Sequence, residues 1–160
     1  MTETAEAVWR FRSSGEEETL RLGRTLGTLL VPGLTVLLSG ELGTGKTVFV
    51  RGVGDVLSAA RVRSPSFTLV NEYRTEKFLL VHADLYRLEP GGAGELGLEE
   101  YAGEDCVLFV EWPDRWKTPP EDVLSVSIEA AGETERLFEF SARGEKAGAV
   151  FRRLKNARGA

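Results

Sequence analysis

The stretch Gly40-Glu41-Leu42-Gly43-Thr44-Gly45-Lys46-Thr47 constrains this chain more than any other. It follows the apolar run Leu34-Thr35-Val36-Leu37-Leu38-Ser39 and precedes a helical pattern over residues 48–57. A strand, a glycine-rich turn, Lys-Thr and a helix, in that order, are the context in which G-x-x-x-x-G-K-[ST] binds phosphate. The glycines let consecutive backbone N–H groups converge on one anion. The helix start adds unpaired N–H groups and the positive end of its dipole. Lys46 is placed to reach the terminal phosphates, and the Thr47 hydroxyl to serve a magnesium ion.

The remaining composition narrows the class. A chain of 160 residues with 42 % hydrophobic content can bury a full core, and one domain over residues 1–160 is expected. A net charge of −5 argues against a protein that coats nucleic acid or an anionic membrane by itself. The lone Cys106 excludes an internal disulfide and fits a reducing compartment. Neither an apolar signal segment nor a run long enough to span a bilayer is read, so the expected location is the cytoplasm.

In chain order, residues 8–12 alternate apolar and basic side chains as a short strand does. Ser14 and Glu17 have the spacing of a capping box, predicting Ser14 as N-cap of a helix with a stripe at Leu22, Leu26, Leu29 and Leu30. Pro32-Gly33 ends it before the strand that feeds the phosphate loop. After the loop helix, Pro65 biases Ser64 to an extended conformation. The hydroxyls Ser64, Ser66 and Thr68 follow the loop at a distance where a segment sensing the terminal phosphate is often found. Residues 70–73 and 78–83 predict an antiparallel hairpin, and residues 95–101 a short amphipathic helix. The continuous apolar run Val107-Leu108-Phe109-Val110 predicts a central strand buried on both faces. Residues 123–128 and 137–141 predict a second hairpin, and residues 145–155 a last helix before a polar tail. The basic residues Arg152, Arg153, Lys155 and Arg158 suit the negative end of that helix.

Two apolar strands end in an acid, one at Asp84 and one at Glu111. Ligands of open α/β sheets sit beyond the carboxyl ends of the strands, where such an acid can hold magnesium directly or through water. Spacing does not decide which acid lies nearer the metal. His82 is the only histidine, and packing or hydrogen bonding is its simplest role. Trp112 follows Glu111 and is a candidate partner contact beside the nucleotide.

Together these segments identify a family resemblance. Residues 40–47, then Ser64-Pro65-Ser66-Phe67-Thr68-Leu69-Val70, His82-Ala83-Asp84-Leu85-Tyr86-Arg87 and Glu111-Trp112-Pro113, occur in the order found in the bacterial TsaE (YjeE) ATPases. The resemblance runs from about Thr19 to about Leu137. It implies an α/β fold of the P-loop NTPase type: a three-layer sandwich whose central sheet is mostly parallel with antiparallel hairpin additions. It further implies a Mg2+-dependent ATPase that works with the TsaD and TsaB proteins; with no glutamine in the chain to position water, the isolated protein is expected to be slow and partner-stimulated. Those proteins install N6-threonylcarbamoyl on the adenosine next to the anticodon of tRNAs that read codons beginning with A. By position, Gly43, Thr44, Gly45, Lys46, Thr47 and Val48 would hold the phosphates of ATP. Thr47 and Glu111 would serve Mg2+, and Asp84 would be needed for hydrolysis alongside Lys46 and Glu111. Thr19 and Arg136 are similar to family positions near the adenine or ribose. Ser66 stands where many relatives carry Thr, keeping the hydroxyl.

The residues alone leave two other readings open. One is a small-molecule kinase with Asp84 as base, although no Arg-rich lid segment is evident. The other is a nucleotide-dependent scaffold that does not hydrolyse. A GTPase fits poorly, since the only asparagines are Asn71 and Asn156 and no N-K-x-D motif occurs. The charge balance makes a prediction of its own. Backbone phosphates dominate tRNA affinity and need clustered cations, so the isolated chain should show no submicromolar, salt-sensitive tRNA binding in a filter or polarisation assay. Contact with tRNA is expected only within the complex.

Overall fold

The computed structural model describes residues 7–41, 43–57, 62–65, 69–88, 96–103 and 105–158. One seven-stranded sheet carries the chain, in the order β1-β7-β6-β2-β5-β4-β3. The strands are β1 (Val8–Ser13), β2 (Thr35–Ser39), β3 (Val70–Arg74), β4 (Leu79–Asp84), β5 (Cys106–Glu111), β6 (Val123–Ala130) and β7 (Arg136–Arg143). The centre is parallel: β2 pairs with β5 on one side and β6 on the other, and β5 pairs with β4. Antiparallel partners close both edges, β3 on β4 at one and β7 then β1 beyond β6 at the other. The expected mostly parallel centre with hairpin additions is therefore present.

Helices α1 (Glu16–Leu29), α2 (Lys46–Val56) and α4 (Glu145–Arg158) cover one face. Their side chains Leu22, Leu26, Phe49, Val53, Val150 and Phe151 join one buried cluster with Val36, Leu38, Phe109, Val126 and Phe138 of the sheet. Among the described residues the other face is covered by the one-turn helix α3 (Leu98–Tyr101) and the chain after β4 and β5. There Val81, Ala83, Leu108 and Val110 pack on Leu85, Leu98 and Trp116, and the Trp116 indole donates to Glu99 at 3.1 Å. Residues Val107 to Val110 supply alternate side chains to the two clusters, which is why that run is apolar throughout. Among the described residues no helix is long and apolar enough to cross a membrane.

The start of α1 differs from the sequence expectation. Gly15, not Ser14, is the N-cap, and no side chain caps the helix. The cause lies one residue earlier: Ser13 turns its Oγ toward Gly15 O (2.7 Å) and Thr19 Oγ1 (2.9 Å). This local bonding holds the chain extended for one residue more. The acid that reaches back is Glu18, whose Oε1 accepts the Ser14 N–H at 2.6 Å. The last helix also relies on a distant residue: Asp122 accepts the Lys146 and Ala147 N–H groups at 3.0 and 2.8 Å.

Helices α1 and α2 meet through glycines. A Cβ on Gly23 would lie 2.2 Å from the Phe49 carbonyl, and one on Gly52 would lie 2.4 Å from the Leu20 carbonyl. Backbone on both sides leaves nothing to rotate away. Gly52→Ala should therefore destabilise the chain by about 1–3 kcal/mol, the usual cost of overpacking, despite alanine's better helix propensity. Urea unfolding with an unchanged slope is the measurement, and a gain in midpoint would show that the helices can part at no cost.

Candidate functional site

Strand β2 has a parallel neighbour on each side and the phosphate loop at its carboxyl end. Its flanks are the ends of β5 and β6, so the loop opens into the crevice where the sheet changes direction of growth. The backbone of the loop is what its glycines permit: Gly43 and Gly45 have φ of 80° and 102°, a region side-chain-bearing residues rarely enter. Thr44 closes the turn, its Oγ1 donating to Glu41 O at 2.8 Å. Lys46 begins α2, one residue into the helix after Gly45.

Two acids and a histidine line the strand ends behind the loop, and one of the acids faces Lys46. Leu80 of β4 and Val107 and Phe109 of β5 face the α1–α2 side, so the period of two puts His82, Asp84 and Glu111 on that same face. Register places Asp84 directly opposite Glu111. The Lys46 ammonium donates to Gly40 O at 2.5 Å and lies 3.8 Å from Glu111 Oε1. It also sits 4.5 Å above the centre of the Trp112 ring. The other oxygen of Glu111 lies 2.5 Å from His82 Nε2. Side-chain exposure is 5 % for Lys46, 5 % for Glu111 and 0 % for His82. Buried charge is tolerated here because each charged group faces a partner.

Asp84 accepts the Tyr86 N–H on Oδ1 at 3.0 Å. Burial holds its carboxyl above the ordinary aspartate value and the Glu111 charge adds to this, against the opposing Tyr86 bond, His82 and Lys46. Glu111 is the acid that pairs with Lys46. His82 proves to be a hydrogen-bonded core residue, as the simplest sequence reading held.

Trp112 has a left-handed backbone, φ 58°, at the start of a 3-10 turn over Pro113–Arg115. Its ring lies 4.8 Å from that of Tyr86, which is 42 % exposed. Expected as a partner contact, Trp112 is half-buried and joins Lys46 to the surface. Ser64 is exposed and follows Arg63, whose N–H donates to the Tyr73 hydroxyl of β3 at 3.1 Å. Ser66 and Thr68 lie outside the described residues. Leu69, at φ 69°, returns the chain toward the site, and its carbonyl accepts the Asp84 N–H at 2.9 Å.

Two cavities flank the loop. One, of about 300 Å³, is lined by Thr19, Gly43, Thr44, Gly45, Val48 and Arg136. Thr19 and Arg136, 117 positions apart by their numbers, thus meet on the loop. Arg136 braces it, Nε donating to Thr44 O at 3.0 Å. Gly15, Glu16, Glu133 and Thr134 complete this wall and carried no sequence signal. The second, about 500 Å³, lies toward the Trp112 side, with Gly40, Glu41, Trp112, Asp114, Ile128 and Glu129 in its lining.

The family model for the threonylcarbamoyl adenosine biosynthesis protein TsaE matches residues 13–138, the span that holds every one of these groups. The chain belongs to the TsaE family. Two proteins named tRNA threonylcarbamoyladenosine biosynthesis protein TsaE show the likeness in sequence. That of Nostoc sp. is 37 % identical over 143 residues, covering 86 % of this chain and 88 % of its own. That of Bacillus subtilis is 35 % identical over 139 residues, covering 86 % and 87 %. The crystal structure of Bacillus subtilis YdiB matches with a TM-score of 0.80 at 29 % identity, over 97 % of this chain and 99 % of that one. The TsaE match ends at Phe138, so α4 lies beyond it.

A stability test isolates the Asp84 charge. The carboxyl titrates higher in the folded chain than in the unfolded one, so folding is favoured with Asp84 protonated and loses stability as pH rises through the raised value. Asp84→Asn keeps the oxygen that accepts from Tyr86 and cannot ionise. In metal-free buffer it should melt higher than the parent at pH 7. The difference should shrink as pH falls toward the ordinary aspartate value of 3.8. A pH-independent difference in scanning calorimetry would remove ionisation as the cause.

Proposed function

We propose that this chain is the ATP-binding and ATP-hydrolysing subunit of tRNA threonylcarbamoyladenosine synthesis, a Mg2+-dependent ATPase that keeps a TsaD–TsaB complex turning over. The observation that carries this reading is the buried meeting of Lys46, Glu111 and Asp84 directly behind a phosphate loop in a TsaE-family chain. The phosphates would lie on the N–H groups of residues 43–48 at the start of α2. Adenosine would fill the cavity between Thr19 and Arg136. Lys46 would exchange Gly40 O for the terminal phosphate oxygens, a short swing for a flexible side chain.

The donor set fits magnesium. Thr47, Glu111 and Asp84 offer hard oxygens, and among the described residues no group of three or more His, Cys, Asp or Glu side chains forms a metal cage. That suits an ion which takes one or two protein oxygens and fills its shell with water and phosphate. Thr47 Oγ1 and Glu111 Oε1 would hold it. Magnesium would supply charge neutralisation on the phosphates. Asp84, one strand further, is available to orient water, and its raised pKa suits a group that handles a proton.

The partners act through the second cavity. Its carboxylates Glu41, Asp114 and Glu129 and the Trp112 ring suit a cationic side chain supplied in trans. In P-loop enzymes such a cation is worth about 10³–10⁵ in rate. The chain contains no glutamine to position water, and partner stimulation would complete the site. The kinase reading has no supporting observation beyond Asp84 itself.

Phosphate release by the isolated chain, then with TsaD, TsaB and tRNA, tests the proposal. Release without an added acceptor, stimulated by the partners, is expected; acceptor-dependent transfer would establish a kinase instead, and the absence of any turnover a scaffold. Lys46→Ala should lose hydrolysis while staying folded, and Thr47→Ala should first raise the magnesium requirement. Asp84→Ala and Glu111→Ala should lower turnover by far more than ATP affinity, the pattern of groups that act mainly in the transition state. Equal losses of both would assign these acids to ground-state binding.

A further inference from the structure

Glu111 is held from two sides. Lys46 faces Oε1, and the ring of His82 faces Oε2 at 2.5 Å. His82 stands opposite Phe109, so it reaches Glu111 diagonally, one step along the common face of β4 and β5. The ring is wholly buried, and its second nitrogen, Nδ1, is buried with no hydrogen-bond partner among the described residues. Those two facts select one proton arrangement. A proton on Nε2 gives Glu111 a donor and leaves at Nδ1 only a lone pair. A proton on Nδ1 would strand a buried donor and set an Nε2 lone pair against a carboxylate oxygen.

We propose that His82 is a positioning residue: as the Nε2–H tautomer it holds one oxygen of Glu111 and turns the other toward Lys46 and toward the metal of the bound nucleotide. The metal part rests on the nucleotide reading above, whereas the tautomer and the hydrogen bond do not. The logic is that of residues behind metal-binding carboxylates and imidazoles, which fix the orientation of the group that binds. Without the His82 donor, the Glu111 carboxylate would keep, among the described residues, its Lys46 ion pair alone and could rotate about its side-chain torsions.

His82 is the only histidine, so a spectrum of 15N-labelled histidine reads one ring. It should show the Nε2–H tautomer, with an Nε2–H proton protected from exchange. Glu111→Ala should shift that proton, and Mg·ADP should shift it where ADP with EDTA does not. Variants give the functional arm. His82→Phe keeps the ring shape and removes the donor, and should raise the magnesium half-saturation for ADP binding by about 10–100-fold. Metal-free ADP affinity should stay within about twofold, because Glu111 does not touch the rest of the nucleotide in this account. His82→Gln, which returns an N–H near the same place, should recover most of the loss. In a Glu111→Gln background, His82→Phe should add less than about twofold if the two act as one unit. If His82→Phe does not fold, the ring spectrum and His82→Gln still decide. An Nδ1–H tautomer, a ring signal indifferent to Glu111→Ala, or additive losses in the double variant would overturn the proposal. If the ring data hold and magnesium has no effect in any variant, the hydrogen bond stands and the nucleotide–metal reading fails.

Discussion

An ammonium group buried behind a glycine loop needs compensation, and the arrangement around Lys46 supplies it. Left alone there, the charge would cost several kcal/mol. Gly40 O accepts a hydrogen bond, Glu111 offers the opposite charge and Trp112 presents its ring face. Each of these partners is delivered by the same sheet. Gly40 directly follows β2, Glu111 ends β5, and the Trp112 N–H donates to Leu38 O of β2 at 3.3 Å. Parallel pairing of β2 with β5 therefore sets the distance between lysine and acid, and a slip of one residue would turn Glu111 to the opposite face.

The glycines of α1 and α2 serve that geometry from the other side. Lys46 is the first residue of α2, so its height above the sheet depends on how closely α2 lies against α1. Gly23, Gly27 and Gly52 let the two backbones touch, since a Cβ at any of them would meet the facing helix within 2.4 Å. In helical terms these glycines are poor residues. Their intrinsic cost is accepted because a wider separation would move the helix that carries Lys46 and Thr47.

Sequence patterns made the elements legible where the physical signal is local. The glycine loop announces itself because its φ values admit little else, and the apolar run of β5 because a strand buried on both faces is apolar wherever its side chains meet the core. What could not be read was the pairing of strands. Nothing local says that Glu111 stands across from Asp84 and bonds to His82, or that Arg136 supports Thr44. The capping of α1 was misplaced for a related reason: Ser14 and Glu17 have the right spacing, but the nearby Ser13–Thr19 contact outcompetes it. Asp122 at the start of α4 is non-local again, 24 residues from the N–H it accepts. Register and long-range capping are properties of the assembled sheet, and a single sequence expresses them only through the face its alternation commits.

Trp112 links the buried charges to the surface. Its φ of 58° is uncommon for so bulky a residue and is maintained only where neighbours fix it. Two neighbours are the Lys46 ammonium and the Tyr86 ring, one inside the site and one exposed. Tyr86 in turn follows Asp84 by two residues and donates its N–H to that carboxylate. A closed circuit results: Lys46 to Glu111, Glu111 beside Asp84 in register, Asp84 to Tyr86, Tyr86 to Trp112 and Trp112 back to Lys46. Under the proposed function, a nucleotide that draws Lys46 away from Gly40 also alters what lies over the Trp112 ring. A partner seated on Trp112 or Tyr86 would act on the same circuit from outside. Coupling between the phosphate site and the docking face then needs no long-range pathway, because both are edges of one ring of contacts.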